Sequence, residues 1–452
     1  MYRELIPQAI IDSLTGYNRI HRFLKESEKW DVCKIYEWQL KRLQFMVSVA
    51  YNETKGYRQL YDEKGVKPSD LQTLSDIERF PLVTKDLIRN NLSDFSTKPS
   101  LLNGNGLVTT GGSTGLPFEF YQSRKNTAAE TAFINYTWES VGWKRNQIGI
   151  KIRGTHIGSP NDLLKKIARN RYAISSSYIT PENYNDYIKV IQSVNPSFIH
   201  AYPSSLTDLS QLIIENDDCG ILPIKHIFLG SENFYPWQQS IISKAFPKSI
   251  ILPFYGLSEH TVLASWCENN PKYHINPFYG YTEVVNSEGK AVTSGELGEI
   301  IGTSFWNTGT LFIRYRSGDN GVLGNSSCGY CGRHFQLLEN IDGRLAEFVV
   351  SSTGRRISLT VFAGSIMHGK NFEHIKQFRF IQYEKGSLTM AIIPTRGFSE
   401  SDFNHLTESV KSFLGDDFDC KLSIVEELPL TKRGKFSYLE QHLNIERADI
   451  NV

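Results

Sequence analysis

Residues 249–260 read SIILPFYGLSEH. A short apolar run ends in aromatic, glycine and polar residues, as a buried strand does where it leaves a sheet. The same cadence recurs upstream in IGIKIRG (148–154), SFIHAYPSS (197–205) and HIFLGSE (226–232). Helix-like stretches, SLTDLSQLIIEN (205–216) and PWQQSIISKAF (236–246), follow two of these runs. Strand, polar turn, helix, strand predicts an α/β sheet with many parallel strands. Ligands of such sheets sit beyond the carboxyl ends of the strands, where YPSS, GSE and YGLSE fall.

Outward from this centre the texture changes twice. Before about residue 100 the chain is mainly helical. In YEWQLKRLQFMVSVAY (36–51), apolar Trp38, Leu40, Leu43, Phe45 and Met46 recur at helical spacing. Beyond about residue 345, HIKQFRFIQYEKGSLTMAII (374–393) reads as two strands joined at Lys385-Gly386. A helix then starts near Ser399, where Ser399 and Asp402 have capping-box spacing and Phe403, Leu406, Val410 and Phe413 form one stripe. The expectation is a large α/β domain over 1–344 and a small α+β domain over 345–452.

A chain of 452 residues is too long for one ordinary core. Hydrophobic residues at 40% and charged residues at 21% predict a globular protein. With 49 basic against 48 acidic residues, no general nucleic-acid binder is expected. No run approaches the roughly 20 apolar residues of a membrane span, and the first residues do not read as a signal peptide. Six cysteines are too few for a disulfide scaffold, so a reducing, cytoplasmic setting is expected. Cys33, Cys219 and Cys420 read as buried or half-buried thiols.

TTGGSTG (109–115) has no side chains with which to build a core. It reads either as a flexible turn or as an anion cradle, in which glycine lets backbone N–H groups converge on phosphate and hydroxyls add donors. No Gly-Lys-Ser/Thr follows, so it is not a P-loop, and its glycine spacing is not that of a dinucleotide fold.

FYGLSEH (254–260), FIRYRSGD (312–319), IDGR (341–344) and PLTKRGK (429–435) follow in that order. With the glycine loop, and with RFPLVTKDLIRNN (79–91) before it, the chain resembles the adenylate-forming acyl/aryl-CoA synthetase superfamily. It looks most like the phenylacetate–CoA ligase-like group, some members of which are encoded with capsule and surface-polysaccharide genes. The resemblance implies ATP and Mg2+ as cofactors and a small domain that moves. It implies Thr110, Ser113 and Thr114 as phosphate ligands and Glu259 as the magnesium ligand. Ser258 would touch the α-phosphate, Tyr255 and Gly256 the adenine, and Gly230, Ser231 and Glu232 a second adenine-side loop. Asp319 would accept from both ribose hydroxyls, Arg344 would reach ribose or phosphate, and Lys435 would act in adenylation, with Lys432 as the runner-up.

The chain also departs from that pattern. Many relatives carry a lysine just after the glycine loop, where this sequence has Leu116-Pro117-Phe118. The superfamily's acidic hinge residue, two positions after Arg344, is replaced by Ala346, with Glu347 next.

CGYC (328–331) is weak evidence alone: two reduced thiols in a turn, or a redox pair. With Cys267 and His274, Cys328 and Cys331 make a Cys3His set, a composition of structural Zn2+ sites that some members of the resembled group have. The reaction implied is activation of a carboxylic acid and acyl transfer to CoA. Alternatives are transfer to an amino sugar or a carrier-protein thiol, and a non-catalytic nucleotide-binding protein. Arg153 and His156 are candidates for the acyl pocket, and a homodimer is an option that the resemblance leaves open.

Overall fold

The computed structural model describes residues 12, 15–98, 106–111, 117–153, 163–176, 179–344, 348–354, 356–359, 374–430 and 436–443. It divides into two compact units: Met1–Arg145 with Phe254–Ile341, and Asn146–Pro253 with Asp342–Val452.

The first unit opens with α1 (Tyr17–Ser27), α2 (Val32–Glu53), α3 (Lys55–Lys64) and α4 (Lys85–Asn90). The Asp31 carboxylate accepts from the Lys34 N–H at 2.8 Å and so starts α2. Its buried stripe is Ile35, Leu43, Met46, Val47 and Ala50. Phe45, expected on that stripe, is 48% exposed instead. Helical geometry turns it away from the core between buried neighbours, and the Arg42 guanidinium covers its ring at 5.1 Å. The hairpin β1 (Gly106–Gly111) and β2 (Pro117–Gln122) follows, then α5 (Arg124–Glu139). Phe118 and Phe120 of β2 pack fully buried against Phe312.

The second unit holds β3 (Gly149–Arg153), β4 (Leu164–Ala168), β5 (Arg171–Ser175), α6 (Tyr184–Val194), β6 (Phe198–Ala201), α7 (Pro203–Glu215), β7 (His226–Leu229), α8 (Pro236–Ala245) and most of β8 (Ile250–Gly256). Strand pairs β3·β5, β3·β6, β6·β7 and β7·β8 are parallel, and β4 adds antiparallel to β5. The near-continuous apolar runs read as strands because both faces are covered: every residue of β6 and β7 is buried.

The chain returns to the first unit within β8 and continues as β9 (Leu263–Cys267), β10 (Asn270–Ile275), β11 (Gly280–Val285), β12 (Leu297–Ser304), β13 (Tyr315–Leu323) and β14 (Leu337–Arg344). Phe254–Gly256 of β8 pair antiparallel with β9, and the order continues through β10, β14, β13 and β12 to β11.

The rest of the second unit is β15 (Phe348–Val350), β16 (Arg356–Ser358), β17 (Ile375–Gln382), β18 (Ser387–Pro394), α9 (Glu400–Leu414), β19 (Asp419–Ile424) and β20 (Leu439–Gln441). β17 and β18 form the expected hairpin, with Gly386 at φ +77° in the turn, a conformation that favours glycine. The Ser399–Asp402 capping box forms, and α9 buries Leu406, Val410 and Leu414.

Cys33 and Cys219 differ from expectation. Both are exposed and only Cys420 is half-buried, because a thiol on a solvent face of a helix or turn has no apolar neighbour to cover it. No helix among the described residues is long and apolar enough to cross a membrane.

Candidate active site

Two strands that are not adjacent in the sheet present an aromatic ring and a carboxylate together within the first unit. The Tyr255 hydroxyl, on β8, donates to Asp319 Oδ2 on β13 at 2.8 Å. Asp319 is buried, and Gly318 before it takes φ +81°. The Ser317 hydroxyl accepts the Asp319 N–H at 3.0 Å and donates to the Ile300 carbonyl at 2.6 Å. SGD is therefore a locally braced kink in a strand, which sets the direction of the carboxylate. A flat ring beside a two-oxygen acceptor suits a nucleoside.

Glu259 lies just past the end of β8 and is also buried. Its Oε1 accepts from the Tyr315 hydroxyl at 2.8 Å and stands 3.9 Å from Lys85 Nζ. β13 thus supplies a partner to Tyr255 and another to Glu259. His260, next in the chain, holds the left-handed φ of +56°. Ser258 and Gly256 are exposed, and the Ser258 carbonyl accepts from Gln122 Nε2 at 3.4 Å.

Lys85 escaped the sequence reading. Thr84 caps α4 by accepting the Leu87 N–H at 3.2 Å, which puts Lys85 in the first turn. A cation there opposes the helix dipole, and that mismatch is the signal that could have found it. Its ammonium lies 5.0 Å from the centre of the Phe118 ring. Phe118 pairs with Thr110 across the hairpin, and Gly111 with Pro117, at the two ends of the glycine loop. Positive charge therefore reaches the base of the loop from Lys85, where the chain has no lysine after the loop.

Gly230, Ser231 and Glu232 follow β7 in the second unit. Ser231 holds φ +71°, and Glu232 Oε2 accepts the Ser204 N–H in the first turn of α7 at 3.1 Å. The Glu232 carboxylate thus satisfies a helix N-terminus, a structural task that the sequence reading did not assign. Thr110 is a residue of β1 and Arg344 ends β14, with side chains outside the described residues. The Arg153 side chain, Ser113, Thr114, His156, Ala346, Glu347, Lys432 and Lys435 lie outside them as well.

Cys267, His274, Cys328 and Cys331 converge, with their ligand atoms all within 4.8 Å of one another. Sγ of Cys328 and Cys267 are 3.9 Å apart, and Cys331 Sγ is 3.8 Å from His274 Nε2. Ligands at about 2.0–2.3 Å from one tetrahedral ion leave similar separations between themselves, so the set fits zinc. The fold makes it locally. Cys267 ends β9, His274 lies on the adjacent β10, and Cys328–Cys331 form a turn closed by the Gly332 N–H on the Cys328 carbonyl at 3.1 Å. Burial, with the Arg333 charge, brings His274 down to about 4, so the ring is neutral and able to ligate. Burial pushes the Cys267 thiol up to about 12, the cost of a dry thiolate without a cation. The Asn269 N–H points at Cys267 Sγ at 3.4 Å. Arg333 bonds Glu28 and Glu268 beside the turn.

Known proteins resemble this chain in sequence and fold. The family model described as the CapK C-terminal domain matches residues 349–442. Protein CapK of Staphylococcus aureus is 23% identical over 414 residues, covering 89% of this chain and 88% of that protein. Phenylacetate-coenzyme A ligase of Escherichia coli (strain K12) is 24% identical over 346 residues, covering 72% of this chain and 74% of the ligase. Among solved structures, 2-hydroxyisobutyryl-CoA ligase in the postadenylation state with R3-HIB-AMP aligns with a TM-score of 0.77 at 18% identity, over 92% of this chain and 91% of that one. Over most of its length the chain is similar to CapK and to a phenylacetate-coenzyme A ligase, residues 349–442 match the CapK C-terminal domain, and the fold is that of the 2-hydroxyisobutyryl-CoA ligase.

Proposed function

We propose that this chain activates a carboxylic acid as its acyl- or aryl-adenylate and transfers the acyl group to CoA. In the first half, a carboxylate oxygen attacks the α-phosphorus of ATP, and the bond to pyrophosphate breaks. In the second, the acceptor's sulfur attacks the acyl carbon, AMP leaves, and the thiol proton passes to solvent. The observation that carries the reading is the pairing of Tyr255 with Asp319 and of Tyr315 with Glu259, with Tyr315 and Asp319 on one strand.

Tyr255 would stack on adenine beside Gly256 while Asp319 accepts from the ribose hydroxyls. Thr110, Ser113 and Thr114 would hold the β- and γ-phosphates, with Lys85 adding charge at the base of their loop. Ser258 would meet the α-phosphate. Gly230 and Ser231 would offer backbone to the adenine edge, and Arg344 would reach ribose or phosphate. Lys435, from a small domain over 345–452, would sit between carboxylate and α-phosphate and offset their repulsion as the bond forms.

Glu259 would hold magnesium, which neutralises charge on the phosphates. The Cys267, His274, Cys328 and Cys331 set would hold zinc as a brace between loops, since four protein ligands leave no open position for chemistry. The reading places the protein in the cytoplasm, where ATP and CoA are available.

A second acceptor class follows from the resemblance to members of the group that are encoded with capsule and surface-polysaccharide genes. There an amine, such as an amino sugar, or a carrier-protein thiol would take the acyl group. The two separate in one experiment: supply ATP, Mg2+ and an activated acid, then offer CoA, amino sugars or carrier protein. A thioester of CoA supports the first acceptor, and an amide or acyl-carrier product the second. Hydrolysis of ATP that is independent of any acid would sink both.

A further inference from the structure

Two side chains that face Glu259, Lys85 and Tyr315, stand on chain segments that meet at Arg314. The main chain makes part of the join. The Val83 N–H donates to the Arg314 carbonyl at 3.0 Å, and the Arg316 N–H donates to the Val83 carbonyl at 2.9 Å. Val83 and Tyr315 thereby pair as a short parallel bridge. The Arg314 guanidinium makes the rest, with all five of its N–H groups in use. Nε and one amino nitrogen grip the two oxygens of Glu283 at 3.2 and 2.8 Å. The same amino nitrogen donates to the Gly289 carbonyl at 2.9 Å. The other amino nitrogen donates to the carbonyls of Glu78 and Phe80 at 3.0 and 2.8 Å. One residue thus holds the segment 78–83 by backbone and by side chain.

Arg314 is 2% exposed, and Glu283 is buried with it. Replacing such a pair by apolar residues of similar volume is often neutral or stabilising, so stability is a weak account of its presence. The backbone argues the same way. Arg314 holds φ +46°, a left-handed conformation that residues other than glycine rarely adopt and that must be held by its surroundings. What lies on either side of the clamp accounts for both. One residue on, the Tyr315 hydroxyl donates to Glu259 Oε1 at 2.8 Å. Two residues past Val83, Lys85 Nζ stands 3.9 Å from the same oxygen.

We propose that Arg314 is a positioning residue: by clamping 78–83 to the start of β13, it sets Lys85 and Tyr315 against Glu259 and so fixes the direction of that carboxylate. The consequence for magnesium rests on the reading of Glu259 as the metal ligand.

Calorimetric titration of the full chain with ATP, with and without Mg2+, tests this without an acid substrate. The proteins are wild type, Arg314→Lys, Lys85→Ala/Tyr315→Phe and the triple variant. Lysine keeps the charge, but its three donors on one atom cannot serve the five bonds of the fork. Arg314→Lys should weaken Mg2+-dependent ATP binding about fivefold or more and raise the Mg2+ concentration for half-saturation. In the Lys85→Ala/Tyr315→Phe background the same substitution should change affinity by less than about twofold, because the groups through which Arg314 acts are already gone. A loss of equal size in both backgrounds, or no loss in either, would overturn the proposal and leave Arg314 a brace of the fold. Melting curves accompany each variant. Where Arg314→Lys does not fold, Glu283→Gln, which keeps the size of the partner and one accepting oxygen, takes its place in the same cycle with the same two outcomes. Wild type that binds ATP equally with and without Mg2+ would take Glu259 from the metal and this proposal with it. Wild type that binds ATP with Mg2+ but exchanges pyrophosphate with no acid would end the adenylation reading alone, and the cycle would still decide the role of Arg314.

Discussion

The Tyr255 hydroxyl on β8 donates a hydrogen bond to the Asp319 carboxylate on β13 at 2.8 Å. The bond ties the candidate adenine platform to the candidate ribose acceptor. Tyr255→Phe keeps the ring and removes only that donor, leaving a buried carboxylate short of a partner. The expected result is a rise of about threefold to tenfold in KM for ATP with kcat little changed, about the net worth of one ordinary hydrogen bond. Pyrophosphate-exchange kinetics read it. An unchanged KM would mean that the pair braces the strands and does not serve ATP.

Glu259 is held from one side by Tyr315 and faced from another by Lys85. Glu259→Gln keeps the size and loses the charge. Adenylation should fall on the order of a hundredfold, and the Mg2+ concentration for half-maximal rate should rise. Tyr315→Phe should show the same Mg2+ shift in milder form. A Glu259→Gln variant with an unaltered Mg2+ profile would remove this residue from the metal.

The Cys3His cluster predicts about one zinc per chain in protein purified without chelators. Stripping the metal, or Cys328→Ser, should lower the melting temperature by at least about 5 °C. Adenylation by the surviving folded fraction should be retained, because a closed four-ligand site braces loops. Metal content near zero in fresh protein would overturn the assignment.

Asp342 is 4% exposed, and its Oδ1 has no partner among the described residues. Burial pushes its carboxyl up from 3.8 to about 6. Between those values the folded state binds the proton more tightly than the unfolded chain does. The resulting stability is fully present below the unfolded value and is lost as pH rises through about 6. Asp342→Asn should therefore raise stability at pH 7.5 by about 1–3 kcal/mol. The gain should vanish near pH 3.5. Denaturant melts at the two pH values check it, and an equal effect at both would refute it.

Much of the fold was legible because its signals are local. The apolar runs ending in YPSS, GSE and YGLSE became β6, β7 and β8, and Ser399 with Asp402 became a capping box. The convergence of Cys267, His274, Cys328 and Cys331 was legible too, because cysteine and histidine are scarce and specific. What stayed hidden depends on pairings between distant residues. Lys85 reaches Glu259 only through the packing of α4, and no pattern along the chain announces that distance. Glu232 read as part of a nucleotide loop, yet its carboxylate meets the amide end of α7. Phe45 has the spacing of a core residue, but Arg42 covers it in place of the core.

The central claim is adenylation, and ATP–pyrophosphate exchange tests it most directly. Wild type should be assayed beside Lys435→Ala with Mg2+ and a panel of aryl, acyl, hydroxy and amino acids. The account predicts exchange that depends on one acid or a narrow set, reduced on the order of a hundredfold to a thousandfold in Lys435→Ala. Acid-dependent exchange that survives the substitution would remove Lys435 from the chemistry. Folded, ATP-binding protein that exchanges with no acid would contradict the account and leave a nucleotide-binding protein on a ligase fold.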